Sequence, residues 1–190
     1  MSRSQSESPP GEPTGELTPG PSVAVRRRLL RVLAAIAAAV VVTDLVSKQL
    51  AIAALSDAEP VRLIDGLLSL RLVYNPGAAF SLASGTTWIF TIIASVVVVV
   101  ILRVARRLGS RLWAVALGLI LGGAIGNLLD RLFRPPAFGR GHVVDFIDYA
   151  GLFVGNVADI AIVVAGALVI TLTVLGIGVD GSKAEARDRA

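Results

Sequence analysis

Four long runs of apolar residues dominate the hydrophobic and polar pattern of this 190-residue chain. A helix of about 20 apolar residues spans the roughly 30 Å hydrocarbon core of a bilayer. The runs cover approximately residues 29–55, 86–102, 112–129 and 159–179. We therefore expect an all-α membrane protein with four transmembrane helices, contained in one domain at residues 23–180.

The segments that flank this domain lack apolar runs. Residues 1–22 contain five prolines and almost no bulky apolar side chain. They cannot bury enough surface to fold, so we expect a disordered tail. Residues 181–190 mix acidic and basic side chains and are expected to form a second short, solvated tail.

Arginine placement predicts the orientation in the membrane. Arginines flank the start of the first run and crowd the link between the second and third runs: Arg26, Arg27, Arg28, Arg31, Arg103, Arg106, Arg107 and Arg111. Cytoplasmic segments carry an excess of basic residues. We therefore expect both termini to be cytoplasmic and the two longer connections, residues 56–85 and 130–158, to lie outside.

The outer connections contain strand-like patterns. Residues 61–75 form two short runs on either side of Asp65-Gly66, and the second run alternates apolar with polar side chains. A DG pair between such runs is typical of a β-hairpin. The Val-Val-Asp-Phe run at residues 143–146 is also strand-like and carries Asp145 between apolar neighbours. These patterns predict a small extracytoplasmic β-cradle above the helices.

Polar residues from three of the helices fall at one depth. At about 1.5 Å of rise per residue, the first and third helices reach similar heights at their polar positions, and the fourth helix starts in the same layer. This layer contains Asp44, Lys48, Asn127, Asp130, Arg131, Asn156 and Asp159. Ionisable groups are costly inside a bilayer, so by default they indicate a functional site.

Some of these residues also have a purely structural interpretation. Asp44 and Lys48 are four positions apart and could form a neutral ion pair on one helix face. Asp130 and Arg131 could form an ordinary helix end, with the arginine reaching towards the interface, and we favour that interpretation over catalysis. A close-packing face is expected where glycine recurs every four residues, at Gly118, Gly122 and Gly126.

Composition narrows the possible chemistry. The chain has no cysteine, which excludes disulfides and thiolate chemistry, and His142 is its only histidine. One histidine supplies too few nitrogen ligands for a typical metal site. The net charge of +4 is explained by arginines that flank the helices, so it indicates no nucleic-acid partner. We expect neither a metal nor a cofactor.

Five blocks of residues resemble the lipoprotein signal peptidases, the type II signal peptidases of bacteria. The blocks are Asp44-x-x-x-Lys48, Asn75-Pro-Gly-Ala-Ala-Phe80, Gly122-Gly-Ala-Ile-Gly-Asn127-Leu-Leu-Asp130-Arg131, Val143-Val-Asp145-Phe146 and Asn156-Val-Ala-Asp159. They occur in the family's order over about residues 29–180. Two departures stand out: Gly155 occupies a position where the family commonly has phenylalanine, with Phe153 two places earlier, and the stretch between the last two blocks is short.

The resemblance implies a membrane aspartic endopeptidase that cleaves lipidated prolipoproteins just before the diacylglyceryl-modified cysteine. Asp145 and Asp159 are the implied catalytic pair. The residues expected to bind substrate or support the site are Asp44, Lys48, Asn75, Asn127, Asp130, Arg131 and Asn156. The expected partners are the lipidated signal peptide and membrane lipid. We expect a monomer in the bacterial cytoplasmic membrane, with its active site at the outer face.

The residues themselves allow this chemistry and leave alternatives. Two carboxyl groups held close together share a proton, so one can take a proton from water while the other donates to a scissile carbonyl. An ion- or proton-coupled transporter could use the same cluster of Asp, Lys and Arg, although transport sites favour the membrane midplane. A scaffold that only binds lipid or a partner helix is the third possibility.

Overall fold

Four helices and one four-stranded sheet make up the fold in the computed structural model, which describes residues 22–77 and 87–183. The helices are α1 (Val23–Leu55), α2 (Thr87–Val104), α3 (Arg111–Phe133) and α4 (Val157–Val174), with a short 3₁₀ turn at Ala105–Arg107. The strands are β1 (Val61–Ile64), β2 (Leu68–Asn75), β3 (Val143–Tyr149) and β4 (Phe153–Gly155). All four helices are long and apolar enough to cross a membrane. The predicted tails and residues 78–80 of the second sequence block lie outside the described residues, except for the few positions nearest the helices.

The predicted β structure is confirmed and is larger than a single hairpin. The strands form one antiparallel sheet in the order β1-β2-β3-β4. The turn between β1 and β2 contains Gly66 with φ of +71°, in agreement with the DG turn signal. In β2 and β3, Asn75 pairs with Val143 and Val73 pairs with Asp145. This register brings the end of the hairpin beside the polar strand that follows α3.

Helix α3 is the centre of the bundle, because α1, α2 and α4 all pack against it. The predicted glycine face is confirmed. A Cβ atom on Gly122 would lie 2.8 Å from the backbone oxygen of Ala37 in α1, and one on Gly123 would lie 2.7 Å from the backbone oxygen of Ala158 in α4. Only glycine permits backbones to approach this closely. The polar residues of α1, α3 and α4 are therefore held within hydrogen-bonding reach of one another.

The predicted end of the fourth helix is wrong. Helix α4 ends at Val174, whereas an apolar run to residue 179 suggested a longer span. Gly176 takes a left-handed conformation with φ of +65°, and the amide of Ile177 donates to the carbonyl of Leu172 at 2.9 Å. This is a Schellman cap, which glycine favours. The chain then folds back, and the carbonyl of Val179 accepts hydrogen bonds from the linker between α2 and α3.

The predicted end of the third helix is also wrong. Helix α3 continues to Phe133 rather than stopping at residue 129, so Asp130 and Arg131 lie inside the helix. Both side chains are buried, with 2% of Asp130 and 9% of Arg131 exposed. The interpretation of Arg131 as an interfacial side chain therefore fails. Helix α1 likewise starts earlier than predicted, at Val23 after the N-cap Ser22, and is long enough to extend beyond the bilayer.

Candidate functional site

Asp145 and Asp159 approach the site from different elements. Asp145 lies in β3, whose residues 143–146 are all buried. Asp159 occupies the first turn of α4, where it forms a capping box with Asn156. The Asn156 side chain accepts from the Asp159 amide at 3.0 Å, and the Asp159 carboxylate accepts from the Asn156 amide at 3.0 Å. The helix start thus fixes the Asp159 carboxylate, and donors at a helix N-terminus suit a negative group.

Two asparagine side chains connect the two aspartates. Asn156 Nδ2 donates to Asp145 Oδ1 at 2.7 Å and to Asn127 Oδ1 at 3.1 Å. Asn127 Nδ2 donates in turn to Asp159 Oδ1 at 2.9 Å. Asn156 also contacts Asp159 through the capping box. Both carboxylates therefore belong to one continuous hydrogen-bonded network. The sequence placed Asn127, Asn156 and Asp159 at one depth, and the hydrogen bonds among them confirm this.

Lys48 anchors this network from α1. Its ammonium lies 2.7 Å from Asp44 Oδ2, 2.8 Å from Asp130 Oδ2 and 3.0 Å from Asn127 Oδ1, and the side chain is fully buried. The ammonium donates a hydrogen bond to Asn127 Oδ1 and forms ion pairs with the two carboxylates. Because the Asn127 oxygen faces Lys48, its amide nitrogen must face Asp159. The predicted pair between Asp44 and Lys48 is confirmed, but it is only part of a larger network.

Asp44 and Asp130 also hold backbone groups in place. Asp44 Oδ1 accepts from the amide of Ala158 at 2.9 Å, at the otherwise unpaired start of α4. Asp130 Oδ2 accepts from the amide of Val144 at 3.2 Å, next to Asp145 in β3. Each carboxylate therefore fixes the position of a residue adjacent to Asp145 or Asp159. The sequence predicted neither contact, because backbone amides leave no signal in a residue pattern.

Asn75 completes the surroundings of Asp145. It reaches diagonally across the strand pair, and its Nδ2 donates to Asp145 Oδ2 at 2.8 Å. Burial is the largest influence on Asp145 and raises its pKa to about 6, with a further increase from the charge of Asp159. Hydrogen bonds from Asn75 and Asn156 act in the opposite direction. Asp145 therefore retains its proton to a higher pH than an ordinary aspartate.

Arg131 is a buried cation with spare hydrogen-bonding capacity. Its guanidinium carbon lies 5.2 Å from the centre of the Phe90 ring in α2, within the range of a cation–π interaction. Its Nη1 is buried and has no hydrogen-bond partner among residues 22–77 and 87–183. Its neighbour Arg134, which sequence reasoning missed, pairs with Asp130 one helical turn away. The i, i+4 spacing of Asp130 and Arg134 was the available signal.

An apolar groove begins at Asp159. It has a volume of about 350 Å³ and is lined by Tyr149, Phe153, Asp159, Ile160, Val163 and Val164. Asp159 is half-buried and faces this groove, whereas only 2% of Asp145 is exposed. The two carboxylates thus have unequal access to the surroundings.

No group of three or more His, Cys, Asp or Glu side chains is arranged to hold a metal ion within the described ranges. His142 lines a separate cavity with Gln49 and Tyr74. The cluster that the structure does assemble contains acids, bases and amides, which are groups suited to binding peptide and moving protons.

Comparisons with known proteins point to one family. The family described as signal peptidase (SPase) II matches residues 36–175. The chain is 48% identical over 172 residues to a lipoprotein signal peptidase of Rhodococcus jostii (strain RHA1), covering 90% of this chain and 85% of that protein. It is 47% identical over 171 residues to one of Mycobacterium avium (strain 104), covering 90% and 92%.

The fold also matches a solved structure. A bacterial membrane enzyme determined by the in meso method at 1.9 Å superposes with a TM-score of 0.64, covering 81% of this chain and 95% of that one. The sequences are 24% identical, so this similarity concerns the fold.

Proposed function

This chain belongs to the signal peptidase II family, and we propose that it is an aspartic endopeptidase that removes the signal peptide from lipidated prolipoproteins. Cleavage falls just before the diacylglyceryl-modified cysteine. We assign catalysis to Asp145 and Asp159. The observation that carries this assignment is the shared network in which Asn156 and Asn127 connect the two carboxylates. Family membership also weighs against the transporter and scaffold alternatives.

The charges around the pair favour a single proton. The cluster holds four carboxylates and three cations: Asp44, Asp130, Asp145 and Asp159 with Lys48, Arg131 and Arg134. One proton on the catalytic pair makes the cluster neutral, which a low-dielectric site requires. The raised pKa of Asp145 makes that residue the natural holder of the proton. Asp159, which lies at a helix N-terminus and faces the groove, is then the ionised partner.

Peptide hydrolysis uses Asp159 in its ionised form and Asp145 in its protonated form. Asp159 removes a proton from water as the water oxygen bonds to the scissile carbonyl carbon, and Asp145 gives its proton to the carbonyl oxygen. The resulting diol collapses when the proton on Asp159 passes to the peptide nitrogen and the C–N bond breaks. Asp145 recovers a proton from the diol as the new carboxyl end forms. The cycle needs no covalent intermediate, and the pair ends in its initial state.

The remaining polar residues have supporting roles in this proposal. Lys48, Asp44 and Asp130 hold the two asparagines and the backbone next to each aspartate. Nη1 of Arg131, which has no hydrogen-bond partner within the described part of the chain, is available to a substrate carbonyl. Asn75 holds Asp145, and its half-buried position allows contact with substrate as well.

Replacing each catalytic carboxylate by its amide tests the assignment. Asp145→Asn and Asp159→Asn should each reduce turnover of a lipidated precursor by about 100-fold or more, the scale of general acid–base catalysis, and the double variant should be little worse than either. Asp148→Asn is the matched control, because Asp148 lies on the same strand but pairs with Arg71 at 2.7 Å, away from the network. The measurement is the precursor-to-mature ratio at equal enzyme abundance. Substantial turnover by either single variant would move catalysis to another carboxylate.

We further propose that both termini are cytoplasmic and that the sheet and the site face outward from a bacterial cytoplasmic membrane. The chain lacks cysteine, so single cysteines are clean probes. An impermeant thiol reagent should label Ala58→Cys and Ala137→Cys in intact cells and should label Lys183→Cys only after lysis. All three positions are exposed. Labelling of Lys183→Cys alone would invert the topology and place the site inside. Purified enzyme is expected to be active as a monomer.

A further inference from the structure

Phe90, to which the sequence patterns assigned no role, joins three parts of the molecule. It lies half-buried in the first turn of α2, and the centre of its ring is 5.2 Å from the guanidinium carbon of Arg131 in α3. The ring also packs on the turn that follows β2, since a Cβ atom on Gly77 would lie 2.7 Å from Phe90 Cε2. Gly77 has a φ of +96°, which glycine adopts readily, and its lack of a side chain leaves the space that the ring fills.

Arg131 depends on such a contact for its orientation. Its Nη1 has no hydrogen-bond partner and its guanidinium forms no salt bridge within the described ranges 22–77 and 87–183. Asp145 and Asp159 are among the charged groups that act on it, so the guanidinium belongs to the surroundings of the pair. An arginine side chain has many rotamers, and a contact is needed to select one. An aromatic face attracts the cation without supplying a hydrogen-bond acceptor, which leaves Nη1 able to donate elsewhere.

The start of α2 is itself held against the end of α3. The hydroxyl of Thr91, which is 9% exposed, donates to the carbonyl of Gly139 at 2.8 Å. Gly139 lies in the connection between α3 and β3, and two residues later the amide of Gly141 donates to the carbonyl of Arg131 at 2.8 Å. Helix α2 is therefore attached to the same connection that folds back on Arg131, which fixes the Phe90 ring relative to the guanidinium.

We propose that Phe90 is a positioning residue for substrate binding, whose ring holds the Arg131 guanidinium so that Nη1 meets a carbonyl of the substrate. The inference rests on the proposed function, in which Arg131 contacts the peptide beside the two aspartates. Phe90 itself has no group that can accept or donate a proton. Its loss should therefore weaken substrate binding and leave the chemical step nearly unchanged.

A double-variant cycle tests this coupling between Phe90 and Arg131. Binding of a synthetic diacylglyceryl precursor peptide is measured in the Asp145→Asn background, which prevents turnover. Phe90→Leu keeps an apolar side chain but removes the aromatic face, and it should weaken binding about fivefold. Once Arg131→Ala is also present, Phe90→Leu should change binding by less than about twofold, because the ring then has no cation to hold. Phe90→Tyr retains the aromatic face and should bind as the parent does.

Trp88→Leu is the matched control, because Trp88 is a 45% exposed aromatic residue in the same turn of α2 and is not the ring over Arg131. It should leave binding unchanged. Equal losses from Phe90→Leu with and without Arg131 would overturn the proposal in favour of a packing role, as would weak binding by Phe90→Tyr.

Steady-state kinetics provide a second measurement, in enzyme that retains Asp145. Phe90→Leu should raise KM for the lipidated peptide about fivefold and leave kcat within about twofold of the wild-type value. A fall in kcat with KM unchanged would overturn the proposal. A wild-type enzyme that shows the coupled binding of Phe90 and Arg131 but cleaves nothing would overturn the catalytic assignment alone.

Discussion

Asn75 controls the pH at which the enzyme loses activity, if Asp145 is the proton donor. In the proposed mechanism the aspartate pair carries one proton, so kcat/KM should fall as pH rises through the pKa of Asp145, which is about 6. The hydrogen bond from Asn75 Nδ2 stabilises the ionised form of Asp145 and so lowers this pKa. Removing the Asn75 donor should therefore raise the pKa of Asp145 and move the alkaline limb of the kcat/KM–pH profile to higher pH.

The size of the shift follows from the hydrogen bond. A bond to a charged group contributes about 1.5–3 kcal/mol, and one pKa unit corresponds to about 1.4 kcal/mol. Asn75 is half-buried, so water can replace part of its effect, and the lower end of the range applies. Asn75→Ala should move the limb upward by about one pH unit.

Two variants separate the loss of the Asn75 hydrogen-bond donor from the loss of the turn contact between Asn75 and Gly77. Asn75 Oδ1 also accepts from the amide of Gly77 at 2.7 Å, a contact that Asn75→Ala loses and Asn75→Asp retains. Asn75→Asp removes the donor and adds a negative charge, so it should raise the pKa at least as much. The assay is kcat/KM for a lipidated peptide between about pH 4 and 9. The variants are compared by the pH at the midpoint of the alkaline limb, whatever their maximal kcat/KM. A limb that stays in place or moves to lower pH in both variants would refute the reasoning.

Two further predictions concern the framework. Asp44→Asn removes one partner of buried Lys48, so membrane abundance and the melting temperature in detergent should fall together with activity. The free energy of unfolding should fall by up to about 3 kcal/mol, because Asp130 still pairs with Lys48. A normally folded, abundant and fully inactive variant would instead indicate a direct chemical role for Asp44. Gly122→Ala should lower the melting temperature, since the new methyl group meets the α1 backbone, at a cost of about 1–3 kcal/mol. Gly166→Ala, with open space around it, is its control, and equal melting temperatures for the two variants would contradict the close-packing interpretation.

Much of the site could be predicted because membrane helices convert sequence position into depth. Counting residues along three helices placed Asp44, Asn127 and Asp159 in one layer, and the hydrogen bonds among the residues of that layer confirm it. The sheet was predictable from local alternation and turn chemistry. These features depend on short stretches of sequence or on one repeated distance.

The rest depends on contacts between distant segments. Asp130 looked like a helix end until its pairing with Lys48 and its bond to Val144 gave it an interior position. Asn156 gives a similar lesson: the sequence placed it among the residues that bind substrate or support the site, but it contacts both members of the aspartate pair, so Asn156→Ala acts on both. That variant is therefore expected to disturb the pH profile as well as substrate binding.

The pairing of Asp44 with Lys48 also bears on how the protein is assembled. A single charge at the centre of a membrane helix costs about 2.5–3.5 kcal/mol during insertion. Helix α1 is synthesised before α3, so Asp130 is not yet present when Lys48 enters the bilayer. Asp44 lies on the same helix as Lys48, with its Oδ2 2.7 Å from the ammonium, and can pair with it during insertion. Helix α3 likewise brings Asp130 together with Arg134. Helix α1 therefore enters with Asp44 and Lys48 already paired, and α3 with Asp130 and Arg134, and these partners are shared between helices only when the bundle closes.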